Sequence, residues 1–206
     1  QVDALTTAQL VNLGSTQLTA LGSAQIATLS TGDLNALTSA QFQQLGTAQI
    51  AALSTAQVAN LESADLAALS SAQIRALSTA AIAAMDSADL DALTSVQLAA
   101  LSTAQIRAIE TADLAVFSST DLNSLGSAQF AALTTAQVNA LSTDQLVNLG
   151  STQLTALGSA QIASLSTDDL NALTSAQFQQ LGTAQIAALT TAQVANLESA
   201  DLAALS

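Results

Sequence analysis

Leucine returns every eight residues. It stands at 5, 13, 21, 29, 37, 45, 53, 61, 69 and 77 and keeps the spacing to Leu205, with only Met85, Ile109 and Phe117 in its place. Three residues before each sits a second apolar column, Val2, Leu10, Leu18, Ile26, Leu34, Phe42, Ile50, Val58 and onward to Leu202. Two residues after each Leu comes Ser or Thr, then a small residue that is usually Ala, then Gln or Asp, with Ala81 the one exception. The unit reads Leu-(Ser/Thr/Gly/Asp/Glu)-(Ser/Thr)-Ala-(Gln/Asp)-(Ile/Leu/Val/Phe)-x-x, and 206 residues hold about 26 copies. Such a period must be explained before any other feature.

An octad fits neither of the two continuous structures. Strict alternation is absent, so a strand has no support. In one unbroken helix, eight residues at about 100° each overshoot two turns by about 80°, which spreads the Leu column around the whole cylinder. Supercoiling absorbs the drift of about 20° that a heptad leaves, not one of about 80°. The helix must therefore break once per octad.

The residues supply that break. The position after Leu, as in Thr6, Gly14, Gly22, Ser30, Thr38, Gly46 and Ser54, carries accepted N-cap types. Three residues on stands Gln or Asp, as in Ser54-Thr55-Ala56-Gln57, which is a capping box. The Leu before the cap and the Ile or Val four residues after it form the staple pair of the same register. Gly at the cap also suits the left-handed residue that closes a preceding helix. A helix of about six residues is far too short to stand alone, so neighbours must stack and share a core. The expected fold is all-α: a superhelical solenoid of very short capped helices, one per octad. Leu and Ile/Val are expected inside, with Gln, Ser/Thr and the x-x positions outside and Ala between the turns.

The array reads as a single continuous domain over residues 1–206. A longer repeat lies on top of it: residues 9–70 and 145–206 match at 59 of 62 positions, differing at Thr28/Ser164, Gly32/Asp168 and Ser54/Thr190. This is block duplication in a long repetitive gene. Both ends fall within the repeat pattern, which predicts a segment of a longer chain. Gln1-Val2-Asp3-Ala4 is neither basic nor an apolar run, so this stretch holds no secretory signal. Polar residues interrupt every stretch well before the length needed for a membrane span.

Missing residue types narrow the chemistry. The chain has 15 Asp and Glu against 2 Lys and Arg, no His, no Cys and a net charge of −13. It therefore has no imidazole base, no thiol and no zinc ligands of the usual kind. Two cations, Arg75 and Arg107, cannot neutralise a phosphate backbone, so no nucleic-acid partner is expected, and an anionic membrane is disfavoured. The four Phe, at 42, 117, 130 and 178, sit in the apolar columns and read as core. No catalytic, cofactor or metal residue is assigned, and no enzyme is expected.

Acidic pairs form the one constellation to weigh. Glu62/Asp65, Asp86/Asp89, Glu110/Asp113 and Glu198/Asp201 each place two carboxylates three residues apart, and the first three recur every 24 residues. A turn of three octads would stack them in a column. Calcium takes six to eight oxygen ligands and is one reading; acids favouring a helix N-terminus and solubility is the plainer one. Catalysis by paired carboxylates needs a unique cleft, which a uniform repeat does not offer.

Octads such as Leu53-Ser54-Thr55-Ala56-Gln57-Val58 and Leu101-Ser102-Thr103-Ala104-Gln105-Ile106 resemble the Leu-Thr-Thr-Ala-Gln-Ile repeats of very large bacterial surface or secreted proteins, often labelled adhesins or haem-utilisation proteins. The resemblance implies an extracellular or surface-linked role. Haem binding is not carried over, because the chain has no His, Tyr or Cys and Met85 stands alone. Three readings follow: a structural stalk or spacer, a solenoid that binds peptide or glycan, and a surface for ice, mineral or calcium. Binding solenoids usually carry aromatic or Arg anchors, which are nearly lacking here.

Overall fold

The computed structural model of the chain describes residues 5–205. Gln1 to Ala4 and Ser206 lie outside the described residues, and with them Val2, the first member of the second apolar column. Among the described residues there are twenty-four α-helices of four to six residues, one 3-10 turn and no strand. The helices follow one another at the octad spacing, as Ser63–Ala68, Ser71–Ala76 and Thr79–Ala83 show. None is long and apolar enough to cross a membrane.

Each helix starts where the capping argument puts it. Ser54 is extended, with φ −71° and ψ 160°; its Oγ accepts from the Gln57 N–H at 3.2 Å and its N–H donates to Gln57 Oε1 at 2.8 Å. The reciprocal pair satisfies N–H groups that the first turn leaves without partners. Many helices stop at the Leu column, and others end one or two residues before it, as at Ala51 and Ala59. Leu69 is again extended, at φ −64° and ψ 139°, and its N–H closes back on the Leu66 carbonyl at 3.2 Å. Glycine at the cap behaves as any other cap residue: Gly46 has φ −73°, and no described glycine has a positive φ. The left-handed helix closure expected of these glycines does not occur, because the extended Leu already turns the chain.

The short helices stack into a solenoid. Helix Ser39–Gln44 packs against Ser15–Ala20 and Ser63–Ala68, three octads before and after it, and Ser127–Ala132 packs likewise against Ser151–Ala156. The 24-residue recurrence of the acidic pairs matches this spacing. Both apolar columns are buried, with Leu34, Phe42, Ile50 and Val58 fully so and Leu37, Leu45, Leu53 and Leu61 nearly so. The four Phe and Met85 are buried, and Arg75 and Arg107 are exposed.

Two columns differ from expectation. The Ala that follows the Ser/Thr is exposed, as at Ala48, Ala56, Ala64 and Ala72. It sits on the outer face of the first helical turn, so it does not pack between turns. Gln, expected on the outside, is buried from Gln41 onward: Gln57 is 4% and Gln105 2% exposed. A buried amide needs partners, and the geometry below supplies them.

By compactness the chain divides into two units, Gln1–Ile109 and Glu110–Ser206. The octad architecture is the same within each.

Candidate functional site

The buried amides hold one turn to another. Gln57 keeps its Oε1 on the N–H of its own cap and turns its Nε2 toward the carbonyls of Ile26, at 3.0 Å, and Leu29, at 2.8 Å. Gln73 repeats this on Phe42 and Leu45 at 2.7 and 2.8 Å, and Gln105 on Ile74 and Leu77, both at 2.9 Å. In the second unit Gln177 donates to Leu146 and Leu149, and Gln193 to Ile162 and Leu165. In each of these the acceptors stand 31 and 28 residues earlier, at the end of a helix and in the connection after it; Gln153 instead reaches Asn123 and Leu125, 30 and 28 residues earlier. Helix ends leave carbonyls without intrahelical donors. One carboxamide thus caps the start of its own helix and the close of another, which only a group with both a donor and an acceptor can do.

The rule explains its own exceptions. Gln9 and Gln17 keep the capping box, Thr6 N–H to Gln9 Oε1 at 2.8 Å and Gly14 N–H to Gln17 Oε1 at 2.7 Å, yet both are exposed. The positions 28 and 31 residues before them fall ahead of residue 1. Val194 and Leu202, in the core column near the other end, are 43% and 44% exposed.

The acidic pairs occupy the same register but make different bonds. Asp65 accepts from the Ser39 hydroxyl at 3.0 Å, and Asp33 accepts from Thr7 at 3.4 Å, both donors lying 26 residues earlier. Asp89 takes the corresponding bond from Ser63. Asp86 and Asp89 form a capping box, with the Asp89 N–H on Asp86 Oδ1 at 2.9 Å. Glu62 and Glu198 head their helices without a side-chain cap. Burial pushes the Asp65 and Asp89 carboxyls up from their ordinary value. The Ser39 and Ser63 hydroxyls oppose that shift, while the carboxylates of Glu62 and Asp86 add to it.

The Asp of each pair is therefore buried in the stack, and Asp65 and Asp89 are already engaged by a hydroxyl of the turn before. Helices Ser63–Ala68 and Ser87–Asp91 pack together, so two of the pairs lie in adjacent turns. Among the described residues no three His, Cys, Asp or Glu side chains gather as a metal site would require. A cavity of about 150 Å³ beside Phe178, Gln179, Leu181, Ile186, Ala204 and Leu205 has no titratable side chain in its wall. What the arrangement achieves chemically is internal: it fastens backbone to backbone through side-chain amides.

Sequence reasoning placed the Gln correctly in the capping box and missed its second bond. The signal was present. A capping box accepts Glu as readily as Gln, and an anion at a helix N-terminus is favoured. Yet Glu never occupies this position in the chain. Where Gln stands in this column its amide supplies an N–H donor that neither Glu nor the Asp of the other octads offers.

No curated protein sequence matches this chain. The family model described as the ALTTAQ repeat matches it seven times in tandem, over residues 1–31, 29–61, 58–88, 82–108, 106–143, 139–167 and 163–198. With nearly every residue inside one of those matches and the same capped octad folded throughout, the chain belongs to the ALTTAQ repeat family.

Proposed function

We propose that this chain is a stalk or spacer segment of a large bacterial surface or secreted adhesin-like protein, without catalytic activity of its own. The observation that carries the reading is the amide bridge. Most octads from Gln41 onward are tied to the turn before through the same Gln, the same two carbonyls and the same pair of apolar columns. In a repeat array built this way stability is a sum of like interfaces, and length is set by copy number. A net charge of −13 keeps such a segment soluble. Its place outside the cell rests on the resemblance to the repeats of bacterial surface proteins.

The lack of cysteine makes the test direct. Cys introduced at the exposed Ala24 and at Ala48 or Ala72, three and six octads on along one face, gives two dye pairs along one unit. The spacer reading expects a fixed single distance for each pair, the longer about twice the shorter, unchanged by calcium or chelator. Broad distributions, or equal distances, overturn it. Saturable capture of a peptide or glycan from an array would favour the binding solenoid instead.

A further inference from the structure

Two side-chain atoms among the described residues are buried and take no hydrogen bond, Asn35 Oδ1 and Asn171 Oδ1. They stand at the same place in the two copies of the duplicated block, one in each compact unit. A buried polar atom without a partner calls for one. Both amide nitrogens are engaged, Asn35 Nδ2 on the Asn60 carbonyl at 2.8 Å and Asn171 Nδ2 on that of Asn196 at 3.0 Å. Asn123 shows where the oxygen of such an amide faces. Its Nδ2 holds the Asn148 carbonyl at 2.8 Å in the same way, and its Oδ1 accepts from the Gly150 N–H at 2.7 Å. A Cβ at Gly150 would lie 3.3 Å from that oxygen and 2.9 Å from Gln153 Oε1, so the two side chains meet at the cap residue.

The residues that answer to Gly150 and Gln153 are Glu62 and Asp65 in one unit and Glu198 and Asp201 in the other. Each orphaned oxygen is thus turned toward an acidic pair. Asp65 and Asp201 are 4% and 5% exposed. Asp65 accepts a bond from Ser39 at 3.0 Å, whereas the Asp201 carboxylate accepts none among the described residues. Burial pushes both carboxyls up from their ordinary value, and the nearby Glu62 and Glu198 carboxylates add to that shift. The carbonyls of Leu37 and Leu173, where a Gln amide would land, take no hydrogen bond either, since Asp has no N–H to give. Amide oxygen, carboxylates and carbonyl are all acceptors.

We propose that each of these clusters binds a calcium ion, one at Asn35 Oδ1 with Glu62, Asp65 and the Leu37 carbonyl, the other at Asn171 Oδ1 with Glu198, Asp201 and the Leu173 carbonyl. Oxygens alone, with two negative charges among them, suit a hard divalent cation. Calcium takes carboxylate, amide and main-chain oxygens in irregular geometry and completes its shell with water, whereas magnesium demands a near-ideal octahedron. With two acids rather than three, the sites belong among weak ones, with a Kd of about 10⁻⁴–10⁻³ M. The ion does for Asp what the N–H does for Gln: it ties the side chain to a carbonyl of an earlier turn. The other two acidic pairs lack the amide oxygen. Ala59 and Ala83 hold the corresponding places before Asp86 and Glu110, and Asp86 already caps the Asp89 N–H at 2.9 Å.

Calcium chloride is titrated into the full chain, with binding followed by calorimetry and the melting temperature by circular dichroism. The expected result is two ions per chain and a raised melting temperature, with neither effect from magnesium at the same concentration. Asn171→Ala removes one donor oxygen and leaves the net charge at −13, so general attraction of cations is unchanged. It is expected to leave one ion per chain, and the double variant with Asn35→Ala none. Asn171→Asp returns an oxygen with a third carboxylate and is expected to tighten its site about tenfold. Asp89→Asn, which removes a charge outside both sites, is expected to keep two ions. The helical spectrum of each variant without calcium shows that it is folded. No saturable uptake, equal uptake in the double Asn variant, equal uptake of magnesium, or loss of an ion in Asp89→Asn overturns the proposal.

Discussion

Gln105 and Ile74 are 31 residues apart, and the Nε2 of the first lies 2.9 Å from the carbonyl oxygen of the second. The same amide accepts from the Ser102 N–H at 2.8 Å and donates to the Leu77 carbonyl at 2.9 Å. Three backbone groups from two turns meet on one side chain that is 2% exposed. Hydrophobic columns bring the turns together but are non-directional. The amide is directional, so it sets how far one turn slides along the next.

Replacing Gln105 by Glu tests that role with almost no change of shape. Glu keeps the acceptor for Ser102 and loses the donor, leaving a buried carboxylate against the Ile74 and Leu77 carbonyls. An uncompensated buried charge costs about 3–5 kcal/mol. The expected loss in urea unfolding is about 3 kcal/mol at pH 7 and shrinks on acidification. Gln17→Glu, at an exposed position with no acceptor carbonyls before it, is expected to change stability by less than about 0.5 kcal/mol. Equal effects at the two sites would show that the bridge is not what the Gln provides.

The reverse change is expected at Asp65. It is buried and bonded to Ser39, but it has nothing to give the carbonyls at positions 34 and 37, where a bridge would land. Asp65→Gln should gain about 1 kcal/mol by adding that donor. Asp65→Asn carries the same N–H on a shorter stem and should gain less. Urea unfolding of the three proteins side by side decides it, and Asn matching Gln would mean that removal of charge, not reach, is the cause.

Most of the fold was legible because its causes are local. Break, cap and staple all lie within one octad, and Ser54, Gln57 and Val58 do what their spacing predicts. The 24-residue recurrence of Glu62, Asp86 and Glu110 carried the turn spacing as well. What escaped was long-range. Nothing within an octad says that Gln57 will meet Ile26, and Ala56 has the size for close packing although its face looks outward. The acidic pairs read as surface charge because the hydroxyl partners of Asp65 and Asp89, Ser39 and Ser63, stand 26 residues away in sequence.

Glycine at the cap gives a contrast between two sites that look alike in sequence. At Gly46 a Cβ would meet only Gln49 Oε1 at 3.5 Å, an ordinary contact, and φ is −73°. Gly46→Ser adds a hydroxyl acceptor for the Gln49 N–H and restricts the unfolded chain, for an expected gain of about 1 kcal/mol. At Gly150 the N–H donates to Asn123 Oδ1 at 2.7 Å, and a Cβ would lie 2.9 Å from Gln153 Oε1 and 3.3 Å from that same Asn123 oxygen. Gly150→Ser is expected to cost about 1 kcal/mol, because Gln153 is pinned by its bonds to Asn123 and Leu125. Thermal melts of the two variants should move in opposite directions.

The buried carboxyls give stability an unusual pH dependence. Acid usually destabilises, because carboxylates paired in the fold must be protonated. Here the folded values of Asp65 and Asp89 lie above the ordinary one, chiefly through burial. The fold thus binds their protons more tightly than the unfolded chain does. Their contribution is fully present below about 3.9, the unfolded value, and is lost as pH rises through the raised folded values. Protonation also relieves the repulsion of a chain at −13. The melting temperature should therefore climb as pH falls from 7 toward 4. A double variant, Asp65→Asn with Asp89→Asn, should flatten the climb in part, since two of the three carboxyls held above their ordinary value, the third being Asp201, are gone. A melting temperature that falls over this range, or a climb that the double variant leaves unchanged, would mean that these two carboxyls are not the source.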